Sequence, residues 1–182
     1  MKNTQDNTFF TDGNTSFVLV NRELIPNVQD ILDHNSNYHT SIVKTPATGL
    51  AARAFEAETP NVEGSRVFRR FMLITQNDTP VAVVDLFVGY PNYKCASLAM
   101  CLVRDTHQRK GIATTLLSQN IPRLLAQHHP AVQTLVISIT DNNIAALRCL
   151  LKVKFERTNS WQKLDVNGQT VTAVTFKSAL NG

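Results

Sequence analysis

The apolar residues of this chain change their spacing several times, and each change marks an element. "FVLVNRE" (17–23) is a compact apolar run that predicts a strand. In "NVQDILDHNSNY" (27–38), Val28, Ile31 and Leu32 share one face of a predicted helix entered after Pro26. The alanine-rich "TPATGLAARAFEAE" (45–58) predicts a second helix ending before Pro60. "SRVFRRFMLIT" (65–75) and "PVAVVDLFVGY" (80–90) then read as strands around the hairpin turn "QNDT", and "CASLAMCLV" (95–103) as a third, which gives an antiparallel meander. A helical period follows, set by Ile112, Leu116, Leu117, Ile121, Leu124 and Leu125, with Pro122 expected to kink or split the helix. "QTLVISIT" (133–140) is a short apolar strand, so the chain from 95 to 140 is a βαβ unit and demands a parallel pair. "NNIAALRCLLK" (142–152) predicts a last helix capped by Asp141 or Asn142, and two strands around "DVNG" finish the chain. The first sixteen residues, rich in Asn and Thr, are expected to be loose apart from some packing by "TFF". With no repeat and no linker, residues 1–182 read as one mixed α/β domain.

Composition narrows the class of protein. Of 182 residues, 43% are hydrophobic and 18% charged, enough for a packed core. No run reaches the ~18–20 apolar residues of a membrane span, and the N-terminus lacks an apolar leader core, so a cytoplasmic protein without a membrane partner is expected. Cys95, Cys101 and Cys149 form no C-x-x-C pair and read as buried thiols. The glycosylation-type matches at Asn14 and Asn77 carry no weight without secretion. His128 and His129 precede Pro130 at a predicted helix end, where cations suit the dipole, and no metal site is expected. The net charge of +4 and pI near 9.1 raise nucleic acid as a partner, but the basic residues are scattered. Their densest cluster, "RVFRR" (66–70), falls on a predicted strand, so a polyphosphate ligand suits the charge better.

That charge has a place to act. "HQRKGIA" (107–113) joins a strand to a helix and holds one of only seven glycines. N–H groups opening a helix have no intrahelical partner and can donate to an anion. Gly111 lets phosphate oxygens approach the main chain, and Arg109 and Lys110 add positive charge. An ordinary turn with a solvated basic face is the alternative. Neither G-x-x-x-x-G-K-[ST] nor G-x-G-x-x-G occurs here.

Gln108-Arg109-Lys110-Gly111-Ile112-Ala113, following "CLV", resembles the pyrophosphate-binding motif Q/R-x-x-G-x-G/A of the GNAT family of N-acetyltransferases. In "NNIAALRCLLKVKF", Asn143, Ala146 and Phe155 match that family's second pattern, and "DLFVGYPNYKCASLAMCLV" resembles its strand–turn–strand arm. The resemblance covers about residues 65–155. It implies a fold of six or seven mixed strands with helices on both faces, and a central parallel pair that splays to admit acetyl-CoA. Main-chain groups of Leu102 and Val103 would then pair with the pantetheine. Residues Gln108, Arg109, Lys110, Gly111, Ile112 and Ala113 would hold the pyrophosphate, with the Thr114 hydroxyl beside them. Asn143 would face the pantetheine and Ala146 would leave it room.

The match also has gaps. Leu150 stands where many family members carry a tyrosine that protonates the leaving thiolate, and Lys154 and Asp105 replace a usual glycine and proline. Amine acylation needs a neutral nucleophile, hence a base. Asp85, alone within "VAVVDLFV", is the carboxylate candidate; its alternative role is pairing with Arg69 or Arg70. Tyr90 is the second catalytic candidate, with Tyr93 beside it, either as a substitute acid or as part of an acceptor pocket shared with the first two helices. Cys149 lies in a packed helix and is a poor nucleophile candidate. The resulting expectation is an acetyl-CoA-dependent N-acetyltransferase acting on a primary amine by direct attack in a ternary complex, with Leu102 N–H or a neighbour polarising the carbonyl. An acyl-CoA-binding module without turnover and an enzyme acetylating aminoacyl-tRNA are the alternatives. The sequence leaves the acceptor open, and the oligomeric state is monomer or homodimer.

Overall fold

The computed structural model describes residues 7–35, 48–166 and 169–180. Parts of the expected N-terminal segment, both expected early helices and the "DVNG" turn lie outside the described residues. Eight strands form one sheet: β1 (Thr8–Asp12), β2 (Thr15–Leu19), β3 (Phe68–Gln76), β4 (Thr79–Val88), β5 (Cys95–Val103), β6 (Thr134–Thr140), β7 (Glu156–Val166) and β8 (Gln169–Ala179). Their order is β1-β2-β3-β4-β5-β6-β8-β7, so the count is eight rather than six or seven. Among the described strands only β5 and β6 pair in parallel, as the βαβ reading requires. The helices are α1 (Ile25–Asp33), α2 (Leu50–Glu56), α3 (Ile112–Thr115), α4 (Ile121–His128) and α5 (Ile144–Lys152). None of the described helices is long and apolar enough to cross a membrane.

Helices cover both faces. Alternating side chains of β3 and β4 divide the core: Met72, Ile74, Ala82, Val84 and Leu86 pack with α3, α4 and α5. Phe71, Leu73 and Val83 pack with Val28, Ile31 and Leu32 of α1 and Ala51 of α2. The period-two rule for strands produces this division directly.

Several local features depart from the sequence reading. Residues 8–19 are not loose but form the β1–β2 hairpin, turned at Gly13 with φ +61°. Phe10 and Phe17 are buried edge to face, with centroids 5.5 Å apart, so tertiary burial overrides a polar composition. The strand expected over 17–23 stops at Leu19; Asn21 accepts a bond from Leu24 N–H (3.1 Å) and caps a short 3-10 turn into α1. Pro26 lies inside the first turn of α1, where its missing N–H is harmless. The β3–β4 turn runs through Asn77 and Asp78, both at positive φ, as a two-residue hairpin demands. Pro122 splits its helix as expected: a π-turn over Leu116–Asn120 separates α3 from α4, and Ile121 N–H bonds Leu116 C=O. The wider turn relieves the clash between the proline ring and the preceding carbonyls.

Lys154, where the family resemblance expects a glycine, stands at φ +63° two residues after α5. A side chain in this region costs about 1–2 kcal/mol. Lys154→Gly is expected to raise stability by about 1 kcal/mol, measured as a higher urea midpoint at unchanged slope.

Candidate active site

The site originates in a one-residue defect. Asp85 pairs with Met100 and Leu86 with Leu98, so Ala99 is an extra residue in β5. Such a bulge bends its strand and raises its twist. On the other edge, β5 pairs with β6 from Cys95↔Thr134 to Leu98↔Ile137 and no further. Both strands continue beyond that point, to Val103 and Thr140. Between them opens a cleft of about 190 Å³, lined by Leu98, Ala99, Met100, Cys101, Leu102, Ala113, Leu117, Ile137, Ser138, Ile139, Thr140, Asn143, Ala146, Cys149 and Leu150.

Register decides which main-chain groups face this gap. Arg104 N–H bonds Val81 C=O (2.9 Å), which makes every second β5 residue from Arg104 back, Leu102 and Met100, point its groups at β4. Cys101 and Val103 therefore point theirs into the gap. Leu102 is corrected on this ground: its side chain lines the cleft, but its amide belongs to the β4 ladder. Val103 C=O is also engaged, by Gln108 Nε2 at 3.0 Å.

At the open end of the gap the chain makes a 3-10 turn (Asp105–His107) and then passes through Arg109 (φ +60°) and Gly111 (φ +83°). The first helical bond runs from Thr115 N–H to Gly111 C=O (2.9 Å), so the amides just before it have no partner in the helix. A Cβ on Gly111 would meet no heavy atom within 4 Å, so the space over it is open. Gln108 differs from expectation. Its side chain turns inward, donating to Val103 C=O and to Asn35 Oδ1 (2.7 Å), and so fastens the loop to α1. An Arg104–Asp30 ion pair (2.7 Å) makes a second tie to α1.

The far wall is α5. Its N-cap is Asn143, not Asp141 or Asn142: Asn143 Oδ1 accepts from Ala146 N–H at 3.1 Å. That bond leaves the Asn143 NH₂ for the cleft. Thr140 Oγ1 is buried with no partner, and the Thr114 hydroxyl sits 3.9 Å from Cys149 Sγ. Burial above all, then the neighbouring Cys149, pushes the Cys101 thiol up to about 12. Cys101 therefore stays protonated. Leu150 is buried and lines the cleft, so no tyrosine hydroxyl stands there. Unpartnered strand amides, an orphaned hydroxyl and open space over a glycine together fit a long polar ligand ending in a pyrophosphate.

The two catalytic candidates do not meet at this cleft. Asp85 is 6% exposed and takes Arg69 in a two-point pair, Nε–Oδ1 2.9 Å and Nη2–Oδ2 2.7 Å. The pairing alternative describes it. Tyr90 and Tyr93, 37% and 58% exposed, precede β5 at the end where β5 and β6 are still paired. At ~3.3 Å per residue, the start of β5 at Cys95 already lies roughly 10 Å along the strand from Leu98. Of the basic cluster, Arg70 is also drawn inward, over the rings of Phe9 (4.9 Å) and Phe68 (5.6 Å). His128 packs on Phe9, with centroids 4.4 Å apart, and His129 lies 5.9 Å from Phe68. Among the described residues no group of His, Cys, Asp or Glu could hold a metal ion.

A sheet parted between parallel strands, with a glycine-bearing helix start at its open end, offers a long acyl donor a way into the sheet. The sequence matches the model of the acetyltransferase (GNAT) family over residues 31–155, and the chain belongs to that family. It is an acetyltransferase, and acetyl-CoA is its cosubstrate. Among solved structures it is similar to an acetyltransferase from Thermus thermophilus, with 17% identity, 92% of this chain and 97% of that one covered, and a TM-score of 0.68. A Salmonella typhimurium acetyl transferase that modifies the N-terminal serine of ribosomal protein L7/L12 gives 13%, 92%, 96% and 0.72. Spermidine N-acetyltransferase from Vibrio cholerae, solved with CoA and spermine, gives 12%, 93%, 97% and 0.67. No curated protein matches the chain in sequence.

Proposed function

We propose that this chain transfers acetyl from acetyl-CoA to a primary amine by direct attack in a ternary complex. The observation that carries the reading is the end of β5–β6 pairing at Leu98↔Ile137 while both strands run on. Acetyl-CoA brings an activated acyl thioester. The amides from Arg109 to Ala113, with the Arg109 and Lys110 charges, hold the pyrophosphate. The Cys101 N–H and C=O and the Val103 N–H pair with the pantetheine amides, and Asn143 adds its NH₂ from α5. Cys101 N–H is also the donor best placed to polarise a carbonyl in the gap, replacing Leu102 in that role. Leu150 excludes water and supplies no proton, so the thiol leaves on its own acidity, near the ~8.5 of free cysteine. Free cysteines throughout agree with a cytoplasmic setting.

Thioester consumption against a panel of amines tests the reading, and CoA binding without consumption for any amine would replace it with a binding module. Salt-sensitive binding to charged tRNA would favour the tRNA alternative. Asn143→Ala is expected to lose about 1 kcal/mol of stability as a cap and to weaken CoA severalfold, read by denaturation and calorimetry.

A further inference from the structure

A buried asparagine joins α1 to the loop that carries the free amides. Val28, Ile31 and Leu32 seat α1 on the sheet face that also takes Leu102 of β5. Asn35 follows the C-cap of that helix and is 4% exposed. An amide side chain buried so far needs partners for both its oxygen and its nitrogen. Asn35 N–H bonds Leu32 C=O (3.0 Å), which leaves Ile31 C=O without the amide that a continuing helix would give it. Asn35 Nδ2 donates to that carbonyl at 2.7 Å, and its Oδ1 accepts from Gln108 Nε2 at 2.7 Å. Gln108 Nε2 gives its other hydrogen to Val103 C=O at 3.0 Å. The chain of bonds begins and ends on main-chain carbonyls, which only accept, so the direction of both amides is dictated. It also ties together Val103 and Gln108, the two ends of the turn that leaves β5. Arg109 follows at once at φ +60°, a conformation that a residue with a side chain keeps only where its surroundings hold it.

We propose that Asn35 is a positioning residue for acetyl-CoA, acting through Gln108 to hold the amides of Arg109 to Ala113 in the direction that meets the pyrophosphate. This rests on the donor-site reading above. Asn35 is not among the residues that line the cleft, so its effect on the donor is indirect. That effect is preorganisation: amides already aimed lose less freedom when an anion arrives. The second tie, Arg104 to Asp30 at 2.7 Å, does not replace it. Those two side chains are 25% and 44% exposed, and an ion pair open to water contributes little to holding a loop. The buried amides hold it more firmly, because breaking their chain leaves Ile31 C=O or Val103 C=O short of a partner. Asparagine is the fitting residue at position 35. Leucine offers neither bond, and an ionised aspartate turns an oxygen toward Ile31 C=O.

Calorimetry with CoA on the full chain is the test. Asn35→Leu should bind CoA about five- to tenfold more weakly, the range for one or two such bonds. Asn35→Asp carries a signature that a merely structural residue would not give. When protonated, its O–H donates to Ile31 C=O and its carbonyl accepts from Gln108, which restores both bonds. Burial raises the pKa of such a carboxyl, so its CoA affinity relative to the parent should recover as pH falls from about 8 to about 5.5. Asp30, Asp33 and His34 of α1 and Arg104 beside them are common to variant and parent, so the ratio isolates position 35. Parent-like CoA affinity in folded Asn35→Leu would overturn the proposal, as would an Asn35→Asp ratio that does not move with pH. Asp30→Ala weakening CoA as much as Asn35→Leu would overturn it too, since the seating of α1 as a whole would then be the cause. If Asn35→Leu does not fold, Gln108→Met, which keeps the length and loses both donors, decides: a five- to tenfold loss supports the proposal and unchanged affinity overturns it. Gly111→Asp separates the two readings. Normal CoA binding in that variant removes the cradle and this proposal with it, whereas a weakened Gly111→Asp beside a parent-like Asn35→Leu removes this proposal alone.

Discussion

Gly111→Asp binds CoA about 100-fold or more weakly than the parent chain and keeps its far-ultraviolet circular dichroism. Two effects act in the same direction. Gly111 stands at φ +83°, where an L-residue costs about 1–2 kcal/mol, so the variant tends to reshape the loop that aims the amides. The new carboxylate also projects into open space that no protein atom occupies within 4 Å, the space a pyrophosphate would enter. Like charges in partly desolvated contact add several kcal/mol against binding at an effective dielectric of about 20. Because nothing in the protein is displaced, the fold should survive. Unchanged affinity by calorimetry would remove the cradle from the donor site.

Asp85→Ala is expected to destabilise the protein by about 3–5 kcal/mol, the usual result of stripping one partner from a buried ion pair. Arg69 would be left charged beneath α2. Its guanidinium also donates to the carbonyls of Ala54, Phe55 (3.5 Å) and Ala57 (2.7 Å), the last turn of that helix and its exit. It lies over the rings of Phe71 (5.1 Å) and Phe87 (5.5 Å) as well. One arginine thus satisfies helix-end acceptors and a carboxylate together, and the carboxylate is what fixes its direction. Urea denaturation measures the loss. The milder Asp85→Asn separates structure from chemistry: the pH–rate profile of its folded fraction should superimpose on that of the parent. A displaced profile would restore Asp85 as the base.

Asp85 also shows where sequence reading stops. A lone acid among valines signals an exceptional residue, but the same signal serves a base and an ion pair. Only the position of α2 over Arg69 separates them. Strand β5 was legible to its end residues because nine apolar or small residues sit between turn signals. The β1–β2 hairpin was not, since Phe10 and Phe17 bury themselves by contacts that a polar local composition hides. Gln108 was legible as part of a motif, yet the motif cannot say that its side chain turns back to Asn35, 73 residues away in sequence. The Ala99 bulge left no trace in the hydrophobic pattern, because small and apolar residues continue on both sides of it.

That bend has a consequence for how such proteins diverge. On the proposed reading the donor meets peptide groups, and every residue type carries the same ones. Positions 99, 101 and 103 can therefore drift among small and apolar side chains without rewriting donor recognition, provided the extra residue in β5 is kept. On that reading, donor recognition then depends on one glycine, one capping asparagine and the length of a strand. A fold shared with solved acetyltransferases at 12–17% identity agrees with recognition that asks so little of the side chains.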